Sequence, residues 1–122
     1  MLRTASLGWM KEGHRTMQEL TQQELIDRVN HNEEGSFAVF LFTPFCGTCK
    51  ITERMLEIIR TMQPDLPLVK SNINFLPQLS REWQITSVPC IVMLEAGKEN
   101  TFMYRMQSVD ELYRRLLPLI NN

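Results

Sequence analysis

The 122-residue sequence predicts a three-layer α/β/α sandwich, in which a mixed central sheet ends in a β-hairpin followed by a C-terminal helix. Three observations predict this fold. Helical and strand patterns alternate along the chain. The runs Phe37 to Phe42 and Ile91 to Leu94 are continuously apolar, as in strands that are buried on both faces. The last two strand patterns are separated by the short turn Ala96 to Lys98, which favours an antiparallel pair.

Each element has a local signal. Thr21 and Glu24 form a capping box that opens the first helix, which should end between residues 30 and 35. A second box, Ser108 with Glu111, opens a single last helix whose inner residues are Leu112, Leu116 and Ile120. Between them the sequence predicts strands at 37–43, 68–73, 88–95 and 100–105 and helices at 47–62 and 77–83, with parallel crossovers linking the first strands.

Composition excludes several classes of function. A formal charge of −1 gives no long-range attraction to phosphate, so we expect no nucleic acid, and the apolar runs are far shorter than the roughly 20 residues of a membrane span. Residues 1–16 lack the apolar centre of a secretory signal, and with an odd number of cysteines this favours the cytoplasm. We interpret 1–16 as a flexible or non-native tail, with translation starting at Met17 as one hypothesis, and 17–122 as the domain.

Two of the three cysteines, Cys46 and Cys49, lie three positions apart where the first buried strand meets a helix. A thiol in the first turn of a helix faces unpaired N–H groups and the positive end of the helix dipole, and both favour the thiolate. In Cys-X-X-Cys motifs this can lower a thiol pKa from about 8.5 to roughly 3.5–7.5. Cys46 is therefore the candidate nucleophile, and Cys49 the thiol that resolves the mixed disulfide.

A helical wheel predicts which side of this helix is buried. Centred on Ile51, it groups Ile51, Met55, Ile58, Ile59 and Met62 as the inner stripe and makes Cys46 more accessible than Cys49. Two other interpretations stay open, in which the cysteines only fill space or bind zinc. The second would have to draw on Cys90, His14 and His31, which lack a second paired spacing, so we predict no metal.

The motif F-C-G-T-C-K after a buried strand, Val88-Pro89 opening a later strand, and Gly97 in the hairpin turn together resemble the thioredoxin family over residues 17–122. The resemblance implies that the Val88–Pro89 peptide bond is cis, that Pro89 packs beside the cysteines, and that Val88 and Pro89 form the edge where a substrate peptide docks. Phe45, next to the exposed thiol, is a further candidate for substrate binding.

The sequence departs from the family pattern in three places: Phe45 replaces the usual Trp, Thr48 the usual Pro, and Phe40 a buried acid that accepts the proton of the second cysteine. Lys70 matches the lysine partner of that missing acid. Glu53, four residues after Cys49, is a candidate proton acceptor. The simpler interpretation makes Glu53 a solvated charge and lets Lys70 reach the surface along its stem.

Cys90 follows Pro89 directly, so it either fills the core or serves as an accessory redox thiol near the active edge. The sequence as a whole predicts a cytoplasmic thiol-disulfide oxidoreductase that reduces disulfide-containing proteins and carries no bound cofactor. A flavoenzyme thioredoxin reductase or a low-molecular-weight thiol would supply the electrons. The alternative is a module of the same fold that binds a partner or holds a metal or cluster, with little redox turnover.

Overall fold

The computed structural model describes residues 17–31 and 35–120, and the predicted tail at 1–16 lies outside them. A five-stranded mixed sheet forms the middle layer, with strand order β1-β3-β2-β4-β5. Strands β1 and β2 pair in parallel with β3, whereas β4 is antiparallel to β2 and β5 to β4. The strands are β1 (Gln18–Glu19), β2 (Phe37–Phe42), β3 (Leu68–Asn72), β4 (Cys90–Leu94) and β5 (Thr101–Met103).

Helices cover both faces of the sheet, which confirms the predicted α/β sandwich. They are α1 (Gln22–Asn30), α2 (Gly47–Met62), α3 (Pro77–Glu82), α4 (Val109–Arg115) and α5 (Leu117–Ile120), with a 3₁₀ turn at Ile73–Phe75. One core cluster joins α2, α4 and α5 to the sheet face that carries Phe40. The other joins α1 and α3 to the opposite face, which carries Val39. The central strand β2 is buried on both sides because it contributes to both clusters.

Two elements differ from the prediction. Strand β1 was not predicted, because two residues at the sheet edge carry no readable period. The predicted last helix is divided into α4 and α5, because Pro118 has no N–H to donate and Leu116 N bonds the carbonyls of both Leu112 and Tyr113. The shift buries Leu119 in place of Ile120.

The predicted inner stripe of α2 is also wrong in part. Ile51, Ile58 and Met62 are exposed, and the helix packs instead through Cys49, Thr52, Met55, Leu56 and Ile59. Apolar residues on α2 span two overlapping arcs that share Met55 and Ile59, so hydrophobicity alone does not decide which arc meets the sheet. The structure therefore leaves an apolar stripe in solvent.

Helix α1 begins at the predicted capping box, in which Thr21 N donates to Glu24 Oε1 at 2.8 Å and Glu24 N to Thr21 Oγ1 at 3.2 Å. The second box is only half formed, since Glu111 N donates to Ser108 Oγ but the Glu111 carboxylate accepts from Gln107 N. Within the described ranges, no helix combines the length and the apolar character needed to span a bilayer.

Candidate active site

The fold places Cys46 where the central strand reaches a helix. Strand β2 ends at Phe42, a short loop follows, and Cys46 is the N-cap residue of the 16-residue helix α2. The sulfurs of Cys46 and Cys49 form a disulfide, with Cα atoms 5.1 Å apart. Cys46 is partly exposed, whereas only 3% of Cys49 is accessible. A partner molecule can therefore reach the first sulfur much more easily than the second.

Hydrogen-bond donors surround the Cys46 sulfur. The backbone N–H of Cys49 donates to Cys46 Sγ at 3.1 Å, and Thr48 Oγ1 lies 3.3 Å from the same atom. The loop before the helix is held in place because Lys50 Nζ donates to the carbonyl of Pro44 at 3.0 Å. When the disulfide is reduced, these donors and the positive end of the α2 dipole favour a thiolate on Cys46.

The Val88–Pro89 bond is cis, as the family resemblance implied. Both residues are half-buried, and they line a groove of about 370 Å³ between the start of α2 and the segment that follows β5. Phe45, immediately before Cys46, is 98% exposed. The groove, which we call the α2–β5 groove, is lined by Thr48, Ile51, Thr52, Val88, Pro89, Tyr104, Arg105, Met106 and Gln107.

An ion pair lies beneath α2 where the family pattern would place its buried acid. Lys70 Nζ donates to Glu53 Oε2 at 2.8 Å, and the two side chains are only 17% and 30% exposed. Lys70 is the cross-strand neighbour of Phe40, and its ammonium lies 5.4 Å from the ring centre of Phe42. The interpretation of Glu53 and Lys70 as two separate solvated charges is therefore wrong.

This ion pair is the feature that sequence reasoning missed. A lysine in the middle of a buried strand needs a nearby acid, because an unpaired charge is costly to bury. Phe40 supplies none, and Glu53 is the acid that α2 presents to that side. Both residues are in the sequence, but their pairing could not be predicted without the register of β3 against β2, which places Lys70 beside Phe40. The carboxylate thus reaches Lys70 from the helix and not from the strand.

Cys90 lies on the opposite face of the sheet from the cysteine pair. Side chains alternate along β4, so Cys90 packs in the α1–α3 cluster while Cys49 packs in the α2–α4 cluster. Its side chain is completely buried, and burial raises the pKa of the Cys90 thiol to about 11 despite hydrogen bonds with the Tyr104 side chain and the Met103 backbone. These observations favour core filling over the accessory thiol that its closeness to Pro89 suggested.

The described residues contain no group of three or more His, Cys, Asp or Glu side chains arranged to hold a metal ion. What the site does contain is a disulfide at a helix N-terminus, a groove beside it and an ion pair beneath the helix. An α/β sandwich with such a site defines a protein built for dithiol–disulfide exchange.

Comparison with known proteins agrees with this class of protein. The thioredoxin family profile matches residues 16–116, and the chain belongs to this family. The chain is 37% identical over 97 residues to the thioredoxin-like protein YusE of Bacillus subtilis, covering 80% of this chain and 88% of that protein. It is 22% identical over 98 residues to a thioredoxin of Chlamydia trachomatis, covering 80% and 93%.

Solved structures show the same fold. A chloroplastic thioredoxin z superposes with a TM-score of 0.72 at 20% identity, covering 88% of this chain and 97% of the other. Membership of the family supports thiol-disulfide oxidoreduction as the activity class, and it agrees with the close cysteine pair.

Proposed function

We propose that the protein reduces disulfide bonds in other proteins through Cys46 and Cys49. The Cys46 thiolate attacks one sulfur of the substrate disulfide, that S–S bond breaks, and the departing thiolate takes a proton. Cys49 then loses its proton and attacks Cys46 Sγ, which releases the second substrate thiolate to be protonated. The substrate gains two electrons and two protons, and the protein is left with the Cys46–Cys49 disulfide.

The observation that carries this proposal is the unequal exposure of two bonded sulfurs at the mouth of α2. The accessible Cys46 suits the first attack, on the substrate disulfide. The buried Cys49 suits the second attack, on the mixed disulfide at Cys46, because it is close to that bond and shielded from other molecules. We assign docking of the substrate chain to Val88 and Pro89 in the α2–β5 groove, with Phe45 as an additional contact.

Glu53 is the proposed proton acceptor for Cys49. It lies one helical turn after Cys49, a spacing that puts side chains of a helix about 5–6 Å apart at Cβ. Its Oε2 accepts from Lys70, and within the described part of the chain its Oε1 has no hydrogen-bond partner, so one oxygen is left to take a proton. The ion pair therefore supports Glu53 in the role of the family's buried acid, whose position is occupied by Phe40 in this chain.

The direction proposed is reduction. Thr48 places a neutral hydroxyl beside Cys46, where a cation would stabilise the thiolate strongly and make the protein an oxidant. We therefore expect a reduction potential nearer that of thioredoxin, about −270 mV, than that of the oxidant DsbA, about −120 mV. Turnover then takes place in the reducing cytosol, with a flavoenzyme thioredoxin reductase or a low-molecular-weight thiol returning two electrons per cycle.

A binding module with little turnover remains the second candidate, and the observation in its favour is Phe40 in the place of the family's acid. The two candidates separate in a disulfide reduction assay with wild type, Cys46→Ser and Cys49→Ser, run beside a glutathione redox titration. We expect turnover only in the wild type and a trapped mixed disulfide in Cys49→Ser. Equally negligible activity in all three proteins would refute the proposed reductase.

A further inference from the structure

The exposed side of α2 carries an apolar stripe that begins at the active site. Ile51, Ile58 and Met62, which we call the α2 stripe, lie within about 40° of one another on the helix and extend for about 16 Å. Each is more than half exposed. Ile51 also lines the α2–β5 groove, so the stripe and the groove form one continuous surface beside Cys46.

Basic side chains border this surface. Lys50 and Arg54 lie along the side of α2 next to the stripe, together with Ile58 and the carboxylates of Glu53 and Glu57, and Arg105 lies in the wall of the groove. All three basic residues are exposed. In the described part of the chain, Arg54 and Arg105 make no ion pair, and the Lys50 ammonium bonds only the Pro44 carbonyl.

Among the described residues, most of the acids near this surface are already matched by a cation. Glu53 binds Lys70 at 2.8 Å, Glu57 binds Arg60 at 3.0 Å, and Glu111 lies 3.9 Å from Arg115. Asp110, in the first turn of α4, does not line the groove. The surface therefore presents unmatched positive charge around an apolar centre, although the whole chain has a formal charge of −1.

We infer that the protein selects disulfide-bearing partners whose chain next to the reactive cysteine is apolar and flanked by acidic side chains. This inference rests on the proposed function and names the substrate class of the same site. Apolar contact with Ile51 and the groove supplies affinity through surface removed from water, while the basic border selects partners by charge and speeds their encounter. Because the net charge is close to zero, such a preference must be local.

The test uses three peptides of equal length that share one apolar segment around a disulfide and differ only in flanking residues, which are acidic, neutral or basic. We expect kcat/KM to be highest for the acidic peptide and its advantage to shrink as salt is added. Arg54→Gln and Arg105→Gln should each reduce the ratio of acidic to neutral kcat/KM by about 1.5- to 5-fold, the range of an exposed ion pair. Lys98→Gln, which removes one exposed charge from the hairpin turn, is the matched control and should leave the ratio unchanged.

Two further measurements keep this test separate from that of the proposed function. Reduction of hydroxyethyl disulfide, which is small and uncharged, reports exchange chemistry alone. Fluorescence anisotropy of the same peptides with serine in place of cysteine, bound to Cys46→Ser protein, reports docking alone. Failure of the wild-type protein to reduce hydroxyethyl disulfide would refute the proposed reductase activity. The anisotropy measurement would still decide whether acidic peptides are preferred in docking. Equal binding of acidic and basic peptides, or a loss in Lys98→Gln as large as in Arg54→Gln, would overturn the inference.

Discussion

Replacing Glu53 by Gln removes the proposed proton acceptor while keeping the size of the side chain and a hydrogen-bond acceptor for Lys70. We expect the first step, attack by Cys46, to proceed at the wild-type rate, because Glu53 lies one helical turn after Cys49 and is not a hydrogen-bond partner of Cys46 Sγ. The second step, attack by Cys49 on the mixed disulfide, should be slow because the buried thiol has lost its acceptor.

Removing a general base costs roughly 10²- to 10⁴-fold in rate. We expect the lower end, about 10²-fold at neutral pH, because Glu53 is 30% exposed and water can reach the same region. The defect should shrink as pH rises, since solvent then removes the proton of Cys49 directly. The ion pair itself is partly exposed, so its loss should lower the free energy of unfolding by only about 1 kcal/mol.

The assay follows the two thiolates released when reduced protein reacts with an aromatic disulfide in a stopped-flow instrument. The first release reports Cys46 and the second reports Cys49. Glu57→Gln is the matched control, because Glu57 lies one turn further along α2 and is also paired with a cation. Lys70→Met removes the ion pair but keeps the carboxylate, and its second step should stay within about threefold of the wild type.

Two results would refute this reasoning. If Glu53→Gln resolves the mixed disulfide at the wild-type rate, Glu53 does not accept the proton. If Lys70→Met is as slow as Glu53→Gln, the ion pair matters as a structural contact, and the carboxylate has no separate role in the exchange.

Three other predictions test the environment of single residues. Thr48→Val removes the hydroxyl that lies 3.3 Å from Cys46 Sγ. Because such a hydrogen bond contributes roughly 0.5–1 kcal/mol, alkylation of reduced Cys46 should be about two- to fivefold slower at neutral pH. An unchanged rate would mean that Thr48 does not stabilise the thiolate. The Cys90 thiol keeps its proton in the folded state up to about pH 11 but loses it near pH 9 when unfolded, so its contribution to stability is complete below pH 9 and lost between pH 9 and 11. The free energy of unfolding of the wild type, measured with urea, should therefore fall by about 2–3 kcal/mol more than that of Cys90→Val between pH 9 and 11. An equal decrease in the two proteins would contradict the burial argument. Gln22 Oε1 accepts from Gln78 N at 2.8 Å and Leu79 N at 3.1 Å and so caps α3 from α1. Gln22→Ala should lower the free energy of unfolding, measured with urea, by about 1 kcal/mol. Gln23→Ala, which loses only an exposed hydrogen bond with Asp27, should lower it by less than half of that.

Much of the fold follows from the sequence because its strongest signals are local. The apolar run of β2 and the capping box at Thr21 each specify an element within a few residues. The position of Cys46 at the start of α2 follows from the same kind of signal, since strand and helix patterns meet there. These features depend on side chains close together in the chain, and the structure retains them.

The features that could not be predicted depend on how elements face one another. The rotation of α2 about its axis exposes Ile51 and buries Leu56, and the helix pattern alone allows either side to face the sheet. The pairing of Glu53 with Lys70 joins a helix to a strand across 17 residues. Cys90 is adjacent in sequence to Pro89 but points away from the site, because one position along a strand reverses the face of the sheet.

The placement of Cys90 limits which disulfides this chain can form. A folded molecule presents only one pair of sulfurs to an oxidant, because the third is separated from them by a layer of hydrogen-bonded strands. Repeated cycles of oxidation and reduction can therefore return the same bond each time, without the accumulation of disulfide isomers that include Cys90.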